Sequence, residues 1–130
     1  MPQREMDHEG DPRTNLKEQI GNTDSIEIFN NQILVAVYIR PQRTKSGIYL
    51  TDSTVGEDQY QSKVGLVLKK GPSAFIDEEN RWFREMQIEL DDWIVFRPSD
   101  GWPITVNNNL CRVLDDTAVR GRVQQPDQVW

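Results

Sequence analysis

The segment Gln32 to Arg40, QILVAVYIR, constrains this chain more than any other stretch. It is rich in β-branched and aromatic residues. It is also too short and too continuously apolar for an amphipathic surface helix. As a strand it presents Leu34, Ala36 and Tyr38 on one face, and Ile33, Val35, Val37 and Ile39 on the other. Both faces therefore need cover. Pro41 ends the run, because proline lacks the N–H that a strand ladder uses.

Similar short runs follow, separated by turn residues. In KVGLVLKKGP, Val64, Leu66 and Leu68 alternate with Gly65, Val67 and Lys69, and Gly71-Pro72 is a turn signal. SAFIDEENRWFREMQIELDD reads as a β-hairpin, with AFI and RWF as strands around a DEEN turn. WIVFR, WPITV and LCRVL read as three more strands, joined by the turns PSDG and NNN. DDTAVRGRV reads as one capped helical turn at Asp115-Asp116, then a last strand from Ala118 to Val123. Short strands at regular spacing, with almost no helical period, indicate a small all-β barrel or sandwich.

The length of 130 residues suits one domain. Residues 1–31 hold seven acids against three bases and few large apolar side chains. Such an arm cannot offset its ordering entropy alone and is expected to be mobile or draped on a partner. The domain is then 32–123, with a polar tail 124–130. Trp130 at its end is either incidental or an anchor.

The formal charge of −6, without a basic stripe, argues against sequence-independent nucleic-acid binding. Arg112, Arg120 and Arg122 alternate with apolar residues and read as the exposed side of a strand. The single cysteine, Cys111, excludes an internal disulfide and reads as a small buried hydrophobe. The polar N-terminus has no signal-peptide core, and no apolar run approaches the roughly 20 residues of a membrane span. The expectation is a cytoplasmic protein, bound to no membrane.

Catalytic chemistry has little to stand on. The one histidine, His8, lies in the acidic arm, so neither a catalytic triad nor a two-histidine metal site can be assembled. SGIYLTDSTVG lacks the ending of a phosphate loop. The paired acids Asp91-Asp92 and Asp115-Asp116 sit at strand ends, where turns and caps want them. No cofactor, metal or enzymatic activity is expected.

The feature left over is Lys45 to Lys63, KSGIYLTDSTVGEDQYQSK, a polar loop with an apolar tripeptide near its start. In extended backbone Ile48 and Leu50 point the same way and Tyr49 the other. That shape suits insertion into a partner's apolar groove. It equally suits a short strand of the chain's own barrel, and composition leaves both readings open.

Taken in order, these segments resemble the co-chaperonin (GroES-like) family. Leu34 to Ile39 matches that family's first strand. Thr44, Gly47 and Ile48-Tyr49-Leu50 match its mobile loop. Val64-Gly65-Leu66-Val67-Leu68 matches the returning strand, and Leu90 to Phe96 the segment entering a later one. The resemblance implies an irregular β-barrel with a mobile loop over 41–63 and a roof hairpin over 71–89. It implies a homo-oligomer, a seven-membered ring that caps a chaperonin's folding chamber. Each subunit would dock Ile48, Tyr49 and Leu50 into the chaperonin's apical groove, with Thr44 and Gly47 shaping the loop. Phe75, Trp82 and Phe83 would pack or support the roof.

Departures accompany the resemblance. Ser46-Gly47 stands where the family usually has paired glycines, Asp91-Asp92 replaces the usual Gly-Asp, and the N-terminal arm is an addition. Together they suggest a divergent relative, of the kind a phage could encode, acting in the host cytoplasm. The alternative implied is a phage virion protein, a capsid decoration or cement protein on the same fold, with a major capsid protein as partner.

Overall fold

The computed structural model describes residues 10–39, 62–76 and 88–128. In chain order these form α1 (Pro12–Ile20), β1 (Gln32–Val37), β2 (Val64–Lys70), β3 (Trp93–Val95), β4 (Trp102–Val106), β5 (Asn109–Asp115), a 3₁₀ turn (Asp116–Ala118), β6 (Gly121–Val123) and a second 3₁₀ turn (Pro126–Gln128). Six strands make one antiparallel sheet in the order β4-β5-β1-β2-β3-β6. The fold is the small all-β class that the strand pattern implies.

QILVAVYIR behaves as its composition demands. β1 lies between β5 and β2, and Ile33 to Tyr38 are all buried. The two faces of β1 feed two different cores. Leu34, Ala36 and Tyr38 join Leu66, Trp93 and Cys111. Ile33 and Val35 join Val67, Ile94, Phe96 and Leu114. The first core also receives Ile104 and Val106 from β4, and Val123 from β6. Side chains from both sheet edges thus meet around one core, although no backbone ladder joins β4 to β6. The sheet curls toward a barrel and is left unclosed.

Residues 10–31, expected to be mobile or draped on a partner, lie instead on the chain's own sheet. Ile20 enters the first core at 1 % exposure, with Leu16, Ile26 and Ile28 packed beside it. Burying one such side chain contributes about 1.5–3 kcal/mol. Hydrogen bonds then hold the helix end. Asn107 Nδ2 donates to the Ile20 carbonyl (2.7 Å), and Asn109 Nδ2 to the Gln19 carbonyl (2.7 Å). Carbonyls in the last turn of a helix have no partner within it, so the β4–β5 turn acts as its cap. Lys17 Nζ donates to Asp91 Oδ2 at 2.9 Å, an exposed contact of small value. A composition argument that treats the arm by itself misses a surface already waiting to receive it.

Two further expectations are corrected. Ala74-Phe75-Ile76 is not a strand: residues 72–75 turn, and Phe75 has φ 60. The turn follows Gly71, where a Cβ would come within 2.3 Å of the Asn30 carbonyl oxygen. The missing side chain lets the turn run close beside the residues before β1, where Gly71 N–H donates to the Gln32 carbonyl (2.8 Å) and Ser73 N–H to the Asn30 carbonyl (2.9 Å). Arg112 is not on an exposed face: it is 7 % exposed. Its guanidinium lies 5.8 Å from the Phe96 ring centroid, and Nη1 donates to the Asp100 carbonyl at 2.6 Å. Burial pushes its pKa down, with the Asp100 charge opposing. Alternation identified the strand, but loop 96–101 covers the face that Arg112 occupies. Arg120 and Arg122 are exposed as expected.

Candidate partner-binding site

The two segments that carried the functional expectations leave the sheet at opposite ends of β2. Ala36 pairs with Leu66 and Val37 with Gly65, so β1 ends where β2 begins. Segment 40–61 departs from that end. Segment 77–87 follows the other end, after Lys70 and the turn at 72–75.

The stem of segment 40–61 is closed by Tyr38 and Ser62. Tyr38 N–H donates to the Val64 carbonyl at 2.9 Å. Ser62 Oγ donates to the Tyr38 carbonyl at 2.6 Å and lies 3.2 Å from that of Val64. Phe96 N–H donates to the Lys63 carbonyl at 2.9 Å, so β3's continuation braces the second stem. The Tyr38 ring meets Trp93 edge-on, with centroids 5.6 Å apart and planes at 73°. Its hydroxyl donates to Asp127 Oδ1. Ser62 is 2 % exposed; it and Lys63, counted with the loop on sequence grounds, are stem residues. Composition alone could not separate them, because a buried serine satisfied by two carbonyls looks like any loop serine.

The other end is organised by Asp116. It is 3 % exposed, and its carboxylate accepts from Asn31 Nδ2 (3.1 Å) and Phe75 N–H (3.0 Å). Asp116 N–H donates back to the Asn31 carbonyl at 3.0 Å. One carboxylate therefore ties the entry to β1, the turn after β2 and the 3₁₀ turn after β5. The paired-acid reading as a turn or cap holds for Asp92, whose Oδ2 accepts from Glu89 N–H (2.9 Å). Lys70 Nζ donates to the Ile88 carbonyl at 2.9 Å, closing the base of segment 77–87.

Of the expected site residues, Thr44, Gly47, Ile48, Tyr49 and Leu50 lie outside the described residues, as do Trp82, Phe83 and Trp130. Phe75 is described: it is partly buried and packed against the second core. What the structure brings together is the set of stems, with Tyr38, Ser62 and Asp127 at one end and Asn31, Asp116 and Phe75 at the other. Sequence reasoning gave none of these but Phe75 a functional place. Their signal is long-range pairing, which no local window contains.

Exposed large apolar side chains also have a place. Among the described residues they are Phe29, Ile76, Leu90 and Trp102. Trp102 pairs with Val113, which pairs with Leu34, the second residue after the start of β1. Leu90 precedes Trp93 by three residues, on the side away from the 40–61 stem. Phe29 precedes β1 and Ile76 follows β2. All four thus lie toward the end opposite segment 40–61.

No catalytic arrangement emerges among the described residues. A surface cleft borders Gln32, Asp100, Trp102 and Asp115. Its acids are already engaged: Arg97 donates to both Asp100 oxygens (3.3 Å each), and Gln32 Nε2 donates to Asp115 across the β1–β5 pair. The Arg97 hydrogen bonds hold the Asp100 carboxyl below its ordinary range, against a smaller opposing effect of burial. No cluster of three metal-ligating side chains occurs among the described residues. Nor is any helix there long and apolar enough to cross a membrane.

A family model described as the chaperonin 10 Kd subunit matches residues 25–123, well over half of the chain. No curated protein matches the sequence.

Proposed function

Because the chain belongs to the chaperonin 10 Kd subunit family, we propose that it is a ring-forming co-chaperonin subunit that docks Ile48 and Leu50 into a chaperonin's apical groove. The family is one of co-chaperonins and not of enzymes, and the ATPase is the partner. The observation that carries the docking reading is the clamped stem. Ser62 Oγ donates to the Tyr38 carbonyl and Tyr38 N–H donates to the Val64 carbonyl, so segment 40–61 leaves and re-enters the sheet at one point. On this reading the tripeptide serves a partner's groove and not the chain's own two cores, which among the described residues draw on the strands, the turns beside them and α1.

Magnitudes favour many weak contacts over one strong one. Burying Ile48 and Leu50 contributes about 1.5–3 kcal/mol each. Ordering a long polar loop offsets much of that. One loop binds poorly; several on a ring bind together through effective concentration, and release together when the groove changes. Exposed Phe29, Ile76, Leu90 and Trp102 lie away from the loop end, where contacts between subunits or across the roof do not compete with docking.

The test is the double variant Ile48→Ser/Leu50→Ser, assayed for ATP-dependent co-sedimentation with a purified chaperonin. Association is expected to vanish while the thermal unfolding midpoint stays within the scatter of wild type. Retained capping at wild-type affinity rules out the tripeptide as the docking element.

A further inference from the structure

The family match ends at Val123, yet the chain beyond it returns to the stem of the proposed docking loop. Gln124 and Gln125 N–H groups both donate to Gln128 Oε1, at 3.0 and 2.9 Å, which closes the segment into a compact turn. Buried Pro126 seats that turn on the domain. Asp127 then accepts the Tyr38 hydroxyl. Tyr38 is the residue through which β1 hands over to segment 40–61. Its N–H engages Val64, its carbonyl engages Ser62, and its ring abuts Trp93. Of these contacts, only the one to Asp127 reaches beyond the matched fold.

We propose that segment 124–128 is a positioning element for the docking loop, acting through the hydrogen bond from Tyr38 to Asp127. The proposal rests on the reading of segment 40–61 as the docking loop. The physical argument is one of leverage. A phenol fixed at its tip, on its flank and at both backbone groups cannot rotate without breaking several contacts together. The direction in which residue 39 leaves the sheet is therefore set partly by the tail. A hydroxyl donating to a carboxylate is among the stronger hydrogen bonds available for this. Coupling of this kind is reciprocal: holding the tail steadies the stem, and docking of the loop steadies the tail.

The test uses the full chain and amide hydrogen exchange followed by NMR at Tyr38 and Phe96, whose N–H groups close the stem. Tyr38→Phe and Asp127→Ala are each expected to speed exchange there about tenfold, the effect of losing one hydrogen bond to a charged group. The double variant is expected to be no faster than either single one, because both remove the same bond. Asp127→Asn keeps an acceptor and should restore most of the protection. Faster exchange at 124–128 with Tyr38 and Phe96 unchanged overturns the proposal. So does a uniform acceleration across the β1–β5 ladder, which marks a merely structural bond. Should Tyr38→Phe fail to fold, Asp127→Ala carries the same comparison, since Asp127 is only partly buried. No chaperonin is needed, so this outcome is independent of the Ile48/Leu50 test.

Discussion

Replacing Ile20 by alanine tests whether the N-terminal arm is part of the domain or an appendage. Ile20 is 1 % exposed and sits in the first core beside Leu34, Ala36 and Cys111. Removing its outer three carbons forfeits about 0.8 kcal/mol each in transfer free energy, so roughly 2.4 kcal/mol. A cavity adds to this, and isoleucine-to-alanine changes in cores span about 2–5 kcal/mol. The arm offers a way to limit the loss. Residues 10–24 can lift off locally, so the effect cannot exceed the docking free energy of the arm itself. Deleting residues 1–24 measures that ceiling. We therefore expect Ile20→Ala to destabilise by about 2–4 kcal/mol and the deletion by at least as much. For 130 residues this lowers the thermal midpoint by roughly 4 °C per kcal/mol. Urea unfolding should be read at one fixed protein concentration, because assembly shifts apparent stability. A change below about 0.5 kcal/mol, the range of ordinary surface substitutions, would mean that Ile20 is not a core residue and that the arm contributes nothing to the fold.

Two other outcomes follow from the same contacts. Asp116→Ala leaves Phe75 N–H and Asn31 Nδ2 without their acceptor and should destabilise by about 2–4 kcal/mol in denaturant unfolding, with Asp116→Asn recovering part. Burial pushes the Cys111 thiol from its ordinary value up to about 11. The folded state therefore keeps its proton where the unfolded chain loses it, and stability should fall as pH rises from about 9 to 11. Cys111→Ser should flatten that slope, and an unchanged slope would place its cause elsewhere.

The strand register illustrates how far local chemistry reaches. Asn107 and Asn108 both take left-handed backbone, which asparagine tolerates, so the NNN turn was readable. That Asn107 and Asn109 also cap α1 was not, because their partners lie more than eighty residues away. The helix itself left faint marks. Asp11 before Pro12 and Gly21 after Ile20 are start and stop signals. With only Leu16 and Ile20 as its large apolar residues, the helix lacks the periodic stripe that would have confirmed them. Arg112 shows the reverse failure: its alternation was sound, but a face read as open is roofed by loop 96–101.

What residue order alone determined is the alternation of short apolar runs and turn formers, hence the β class, the two-faced first strand and an apolar tripeptide stranded in a polar segment. Side-chain periodicity and backbone tolerance are properties of neighbours, and neighbours are visible in a string. Tertiary structure decided which face each edge strand covers, that the arm fills the first core, and that Tyr38, Ser62 and Asp127 meet at one stem. Those contacts join residues 24 to 89 positions apart, and such pairings are chosen only when the whole chain competes to bury its apolar surface.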